Sequence, residues 1–171
     1  MPVIKHPSQR VGIFIDVQNL YHSAKNLYKT KVNFKEVLNT AVAGRQLVRA
    51  IGYVISTESG EERIFFDALT KLGIETKEKE LQIFFGGLKK ADWDVAIAVD
   101  ALRLAPSLDT VVLCSGDGDF APLVEQLQSM GKQVEIIAFS KSASSKLQEA
   151  CDDFVDLCEK PEKYLFGKKR R

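Results

Sequence analysis

Aspartates are the residues of this chain whose placing could do chemistry. Asp16 ends the apolar run Val11 to Ile15, and Asp117 and Asp119 lie in Ser115-Gly116-Asp117-Gly118-Asp119, directly after a second apolar run, Val111-Val112-Leu113-Cys114. Such runs read as strands buried on both faces. In open sheets of that kind ligands bind beyond the carboxyl ends of the strands, near the point where strand order reverses, so two strands deliver three acids to one edge. Gly116 and Gly118 are expected to lend the second loop the backbone freedom that lets Asp117 and Asp119 converge. Taken alone, the segment would also serve as an ordinary Asp/Gly turn with Asp119 capping a helix.

A fourth acid comes from a helix opened by Asp92. On a 3.6-residue period Trp93, Ala96, Ile97, Asp100 and Leu104 share one stripe, which puts Asp100 among apolar residues. A carboxylate there needs a partner, either a salt bridge or backbone hydrogen bond, or a cation shared with Asp16 and Asp117. Asp94, in the first turn of that helix, is favoured by the helix dipole whether or not it serves the site. Asn19, three residues after Asp16, is either a helix cap or a hydrogen-bonding member of the site.

Crowded carboxylates repel one another and raise their pKa values, so the cluster calls for a divalent cation. Oxygen ligands alone select Mg²⁺ or Mn²⁺ over zinc, because Cys114, Cys151 and Cys158 form no CxxC pair and no suitably spaced second histidine is present. Such an ion can activate a water, orient a phosphodiester and neutralise charge on its oxygens. Hydrolysis of a phosphate ester is the expected reaction, and it needs no serine, cysteine or histidine nucleophile. His22, one helical turn past Asn19, reads as an ordinary surface histidine.

Elements must hold these residues in place. Helices are expected over Asn19 to Tyr28, Glu61 to Leu72, Asp92 to Leu104, Phe120 to Ser129 and Ser142 to Ala150. Strands are expected at Val11 to Ile15, Gln46 to Ser56, within Ile74 to Phe85, at Thr110 to Cys114 and Gln133 to Phe139, with an edge strand at Phe154 to Leu157. Gly73 and Gly131 close helices, and Gly86 and Gly87 break the third strand. Strands alternating with helices predict an α/β fold with a central, mostly parallel sheet and helices on both faces. One domain over 11–158 is expected, with a flexible N-terminus at 1–10 and a basic tail at 159–171. At 171 residues, 45% hydrophobic and 27% charged, the chain can bury a core without disulfides or a structural metal. Collagen-like, coiled-coil and disordered readings are excluded. A net charge of +1 from 24 basic and 23 acidic residues identifies no partner, so nucleic acid would have to be held by a local basic patch. The first ten residues carry no apolar run of a signal peptide and no stretch suits a membrane span, which predicts reduced thiols and a cytoplasmic location.

These residues resemble the NYN domain, in its bacterial LabA-like branch within the PIN-like nuclease group. The resemblance is carried by Phe14-Ile15-Asp16-Val17-Gln18-Asn19-Leu20-Tyr21, by Lys90-Ala91-Asp92-Trp93-Asp94-Val95-Ala96 onward to Val99-Asp100, and by Ser115-Gly116-Asp117-Gly118-Asp119-Phe120. It implies a PIN-like fold and a Mg²⁺- or Mn²⁺-dependent ribonuclease. Asp16, Asp100, Asp117 and Asp119 would form the acidic site and hold the metal, with Asn19 and Ser115 supporting and Asp94 at its margin. Family members often place a lysine just before the acid that heads this helix. Here Lys90 stands four positions before Asp94.

Substrate RNA, expected to be single-stranded, would approach over Lys25, Lys29, Lys31, Lys89 and Lys90, which either offer contacts to phosphate rather than to bases or are simply solvated on helix ends and loops. The run Lys168 to Arg171 is either a solvated end or a further contact. Two rivals stand beside this reading: a non-catalytic module binding RNA or protein on the same fold, and phosphoryl transfer by an aspartate nucleophile, for which Asp16-Val17-Gln18-Asn19 lacks the Asp-x-Asp arrangement. Formation of a homodimer is left open.

Overall fold

The structure, a computed structural model, describes residues 3–83, 89–90 and 92–167, the pairs 82–83 and 89–90 by backbone alone. The break expected at Gly86 and Gly87, the residue Phe85, the side chains of Lys89 and Lys90 and the run Lys168 to Arg171 lie outside that description.

In chain order the elements are β1 (Arg10–Asp16), α1 (Val17–Tyr28), α2 (Phe34–Val42), β2 (Gln46–Ser56), α3 (Arg63–Lys71), β3 (Glu75–Glu80), β4 (Gln82–Ile83), β5 (Lys89–Lys90), α4 (Asp94–Leu104), β6 (Thr110–Cys114), α5 (Ala121–Ser129), β7 (Gln133–Ala138), α6 (Ser145–Ala150), β8 (Asp153–Asp156) and α7 (Pro161–Tyr164). Six strands form one sheet in the order β3-β2-β1-β6-β7-β8. Every neighbouring pair in it is parallel. The chain starts in the middle, builds outward to β3, then returns to the other side of β1. The strand order therefore reverses between β1 and β6.

The apolar central strands have no polar face to turn to water, so both faces must be covered. Val11, Ile13 and Ile15 of β1 pack into one layer with Leu20 and Ala24 of α1, Val37 and Ala41 of α2, and Phe66 and Leu69 of α3. Phe14 points the other way, into a second layer with Ile97 and Ala101 of α4 and Val124 and Leu127 of α5. Edge strand β3 alternates acids with Thr76, Lys77 and Lys79, and these charges discourage pairing with a further strand.

Three regions differ from expectation. Helix α2 occupies a stretch for which the sequence suggested no element; Phe34, Val37, Leu38 and Ala41 give it a buried face within only nine residues. The third strand stops at Glu80, and the chain continues into an antiparallel ribbon in which Gln82 faces Lys90. Beyond 158 the chain is not merely a tail: α7 buries Tyr164 and Leu165 against the first layer, and the backbone N–H of Asn33 donates to the Tyr164 carbonyl at 2.7 Å. At the other end, within 1–10, Lys5 pairs with Asp153 at 3.1 Å. Among the described residues no helix is long and apolar enough to cross a membrane.

Candidate metal centre

Parallel pairing of β1 with β6 sets Ile15 opposite Cys114, so Asp16 and Ser115 leave the sheet side by side at the reversal point. Asp16 caps α1 by accepting the Asn19 backbone N–H at 3.3 Å, and its other oxygen accepts from the Ser115 hydroxyl at 3.2 Å. Ser115 Oγ in turn accepts the Asp117 N–H at 3.2 Å. Asn19 Oδ1 accepts the Gly116 N–H at 2.9 Å and ties α1 to the loop after β6. Asp117 Oδ1 accepts the Asp119 N–H at 2.9 Å, so Asp117, rather than Asp119, caps the short 3₁₀ turn Gly118–Phe120.

The two glycines serve a different purpose from the one expected. Neither has a positive φ. A Cβ on Gly116 would stand 2.9 Å from the Ala143 Cα, and one on Gly118 would stand 2.6 Å from Ser144 Oγ. Close approach of the segment after β7, rather than backbone freedom, demands glycine here.

Across the site, the carboxylates of Asp94, Asp117 and Asp119 each offer an oxygen within 4.8 Å of the other two. Asp94 arrives from the opposite layer because the start of α4 is pinned. The Trp93 indole N–H donates to the Val54 carbonyl at 3.0 Å, and its ring lies 5.4 Å from that of Tyr53. Lys79 Nζ stands 5.0 Å from the centre of the Trp93 ring and donates to the Asp92 carbonyl at 2.9 Å. Burial, a hydrogen bond to Asp117 and the charges of Asp117, Asp16 and Asp92 push Asp94 up to about 7. Burial also raises Asp16, reinforced by Asp117 and Asp92 and opposed by the hydrogen bonds from Asn19 and Ser115. Near neutral pH the group must therefore retain protons or hold a cation.

Asp100 stands apart from this group. It accepts from the Tyr53 hydroxyl at 2.7 Å and from Lys77 Nζ at 2.7 Å. Burial would raise it, but the Lys77 and Tyr53 hydrogen bonds outweigh burial and hold it below the usual carboxylate range. Of the two partners open to Asp100 from sequence, the structure supplies the salt bridge. Asn19 and Ser115 sit within the site as braces for the loop and for Asp16. His22 is exposed, edge-on to Tyr21 with ring centres 5.5 Å apart.

Sequence reasoning missed Tyr53, Lys77, Lys79 and the anchoring part of Trp93. One signal was present: strand alternation puts Glu75, Lys77 and Lys79 on a single face of the edge strand. What that face meets, α4, depends on the crossover and could not be read from spacing.

Chemically, the grouping of Asp94, Asp117 and Asp119 suits a hard divalent cation, since every donor is a carboxylate oxygen and one of them is pushed toward neutrality by its neighbours. Asp16 adds negative charge at the same place.

The family model for the NYN domain matches residues 10–158. Low amplitude and bright protein LabA of Synechococcus elongatus is 29% identical over 157 residues, covering 86% of this chain and 83% of that protein. Uncharacterized protein MJ0482 of Methanocaldococcus jannaschii is 27% identical over 152 residues, covering 88% of this chain and 56% of that protein. A crystal structure of VPA0982 from Vibrio parahaemolyticus superposes with a TM-score of 0.85 at 30% identity, covering 96% of this chain and all of that one. Because the matched span takes in every strand of the six-stranded sheet together with all the acids discussed above, the chain belongs to the NYN domain family of the PIN-like nuclease group.

Proposed function

We propose that this protein is a ribonuclease that hydrolyses RNA phosphodiester bonds, with Mg²⁺ or Mn²⁺ held by Asp94, Asp117 and Asp119 and with Asp16 beside them. The observation that carries the reading is the convergence of three carboxylates, from α4 and from the loop after β6, at the reversal point of a parallel sheet. This ligand set admits Asp94, which sequence placed at the margin, and leaves Asp100 to its ion pair.

A divalent cation bound there would neutralise phosphate charge and lower the pKa of a bound water. The chain's own residues do the rest. Asp117 is held by its cap to the Asp119 N–H, and Asp16 by Ser115 and Asn19, so both present carboxylates in fixed orientations. Asp119, the exposed member of the three, would be the one to take the proton of an attacking water. Asp94, pushed up to about 7, would have to be deprotonated to serve as a ligand of that cation. The NYN family membership supports RNA as the substrate.

Asp117→Asn tests the reading. It is expected to abolish Mn²⁺-dependent cleavage of single-stranded RNA while leaving circular dichroism unchanged; undiminished cleavage would remove Asp117 from the mechanism. Neither Mn²⁺ affinity by calorimetry nor cleavage in the unmodified protein would leave a binding module as the better account.

A further inference from the structure

On the α1 and α3 side of the sheet lies a cavity of about 520 Å³. That volume falls within the roughly 300–1,000 Å³ of small-ligand sites. Its wall begins at Val17 and Gln18, the residues directly after Asp16, so it starts one peptide unit, about 3.8 Å along the chain, from the acid. Val54, whose carbonyl anchors Trp93 and through it Asp94, lines it as well. Cavity and acid group are thus held by the same two structural pieces.

The character of the lining differs from that of a core defect. Rings of Tyr21, His22, Phe65 and Phe166 face it, and Phe166 is 53% exposed. Lys31 and His22 line it, and so do Glu61 and Glu62 just before α3. The two acids disfavour a phosphate in the cavity, which leaves an uncharged aromatic group as the better occupant. Gln18 offers an amide that both donates and accepts, as the edge of a heterocycle requires.

We propose that this cavity receives one unstacked nucleobase of a single-stranded RNA while the adjoining backbone passes over the acid group. The proposal rests on the ribonuclease reading above and deepens it by assigning a base subsite to the same substrate. Aromatic stacking is the general means by which single strands are gripped, since every base has a π-face. Bases locked in a duplex cannot enter, so the cavity selects single strands by shape. A flexible hydrocarbon tail fits less well, because it offers nothing to the Gln18 amide.

Binding is measured on the full chain in EDTA by fluorescence anisotropy, with two end-labelled probes: a hexaadenylate RNA and a ribose-phosphate hexamer of the same length lacking bases. The base-bearing probe is expected to bind about tenfold more tightly, the scale of one lost base stack. Phe166→Ala and His22→Ala, both at exposed positions, should each weaken hexaadenylate several-fold, leave the base-free probe unchanged and leave the melting transition in place. Equal or absent affinity for the two probes overturns the proposal, as does wild-type affinity for hexaadenylate in both variants. Cleavage plays no part in this readout. RNA held with the expected base preference but never cut would sink the ribonuclease reading alone; RNA cut without base preference would sink the base subsite alone.

Discussion

Two aspartates on one helix, six positions apart, meet opposite fates. Asp100 lies deeper, and a lysine and a tyrosine satisfy it, so its carboxyl stays ionised. Asp94 sits in the first turn among Asp16, Asp92 and Asp117, and its carboxyl is pushed up to about 7. A carboxylate paired with a lysine and a tyrosine is satisfied by the fold, whereas one left in the company of like charges is, in the ribonuclease reading proposed above, open to a cation. Burial alone does not separate a site from a scaffold; the sign of the surrounding charge does.

The largest expected effect comes from removing the crowded acid. Asp94→Asn should lower Mn²⁺-dependent RNA cleavage by about 10²-fold or more, because it deletes a carboxylate that holds the cation, and losing even a partner outside the ligand shell costs about 10- to 100-fold. Steady-state assays at saturating Mn²⁺ measure it, and a fall of only a few-fold would put Asp94 outside the site.

Proton and cation should also compete at Asp94. Between its ordinary value of 3.8 and about 7 the folded protein holds a proton that the unfolded chain has released. Stability from this group is therefore complete below the lower limit and lost as pH rises through the upper one. In EDTA, Asp94→Asn should melt above wild type at pH 8, and the gap should close toward pH 5. Mn²⁺ affinity of the wild type should move the other way, falling by up to about tenfold per pH unit below 7 as one proton is displaced on binding. Calorimetry across that range, and melting curves of the two proteins, report both trends.

Asp100→Asn should do the reverse of Asp94→Asn. It leaves Lys77 without its carboxylate and is expected to cost about 1–3 kcal/mol in urea unfolding, with cleavage reduced only as far as folding is. Loss of cleavage with unchanged stability would erase the contrast between the two acids. The smallest effect is expected at Trp93→Phe, which keeps the ring but deletes the indole donor to Val54: about 1 kcal/mol, plus a modest drop in activity as the start of α4 loosens.

Much of this arrangement was legible before any coordinates. The runs Val11 to Ile15 and Thr110 to Cys114 read as strands buried on both faces, and acids following each mark the edge where such sheets bind ligands. The edge strand was harder, because Glu75-Thr76-Lys77-Glu78-Lys79-Glu80 carries no apolar residue, and only a neighbour on β2 and a helix above make it a strand. Helix α2 was illegible for a related reason: four buried residues in nine give a weak periodic signal, and the sheet beneath supplies what propensity does not. At the site, the importance of Gly116 and Gly118 was visible but their reason was not, since a close approach by Ala143 and Ser144 is a fact of three dimensions.

Local order along the chain therefore determined the element types, the parallel class of the sheet and the presence of acids at its reactive edge, because apolar periodicity and strand-end polarity are properties of neighbouring residues. Tertiary structure alone decided which acids share a site. Asp94 and Asp100 differ by less than two helical turns, yet the edge strand brings Lys77 to one and the β6 loop brings Asp117 to the other. Electrostatic pairing depends on distances across the fold, and those are set by the crossovers between strands rather than by spacing along a helix.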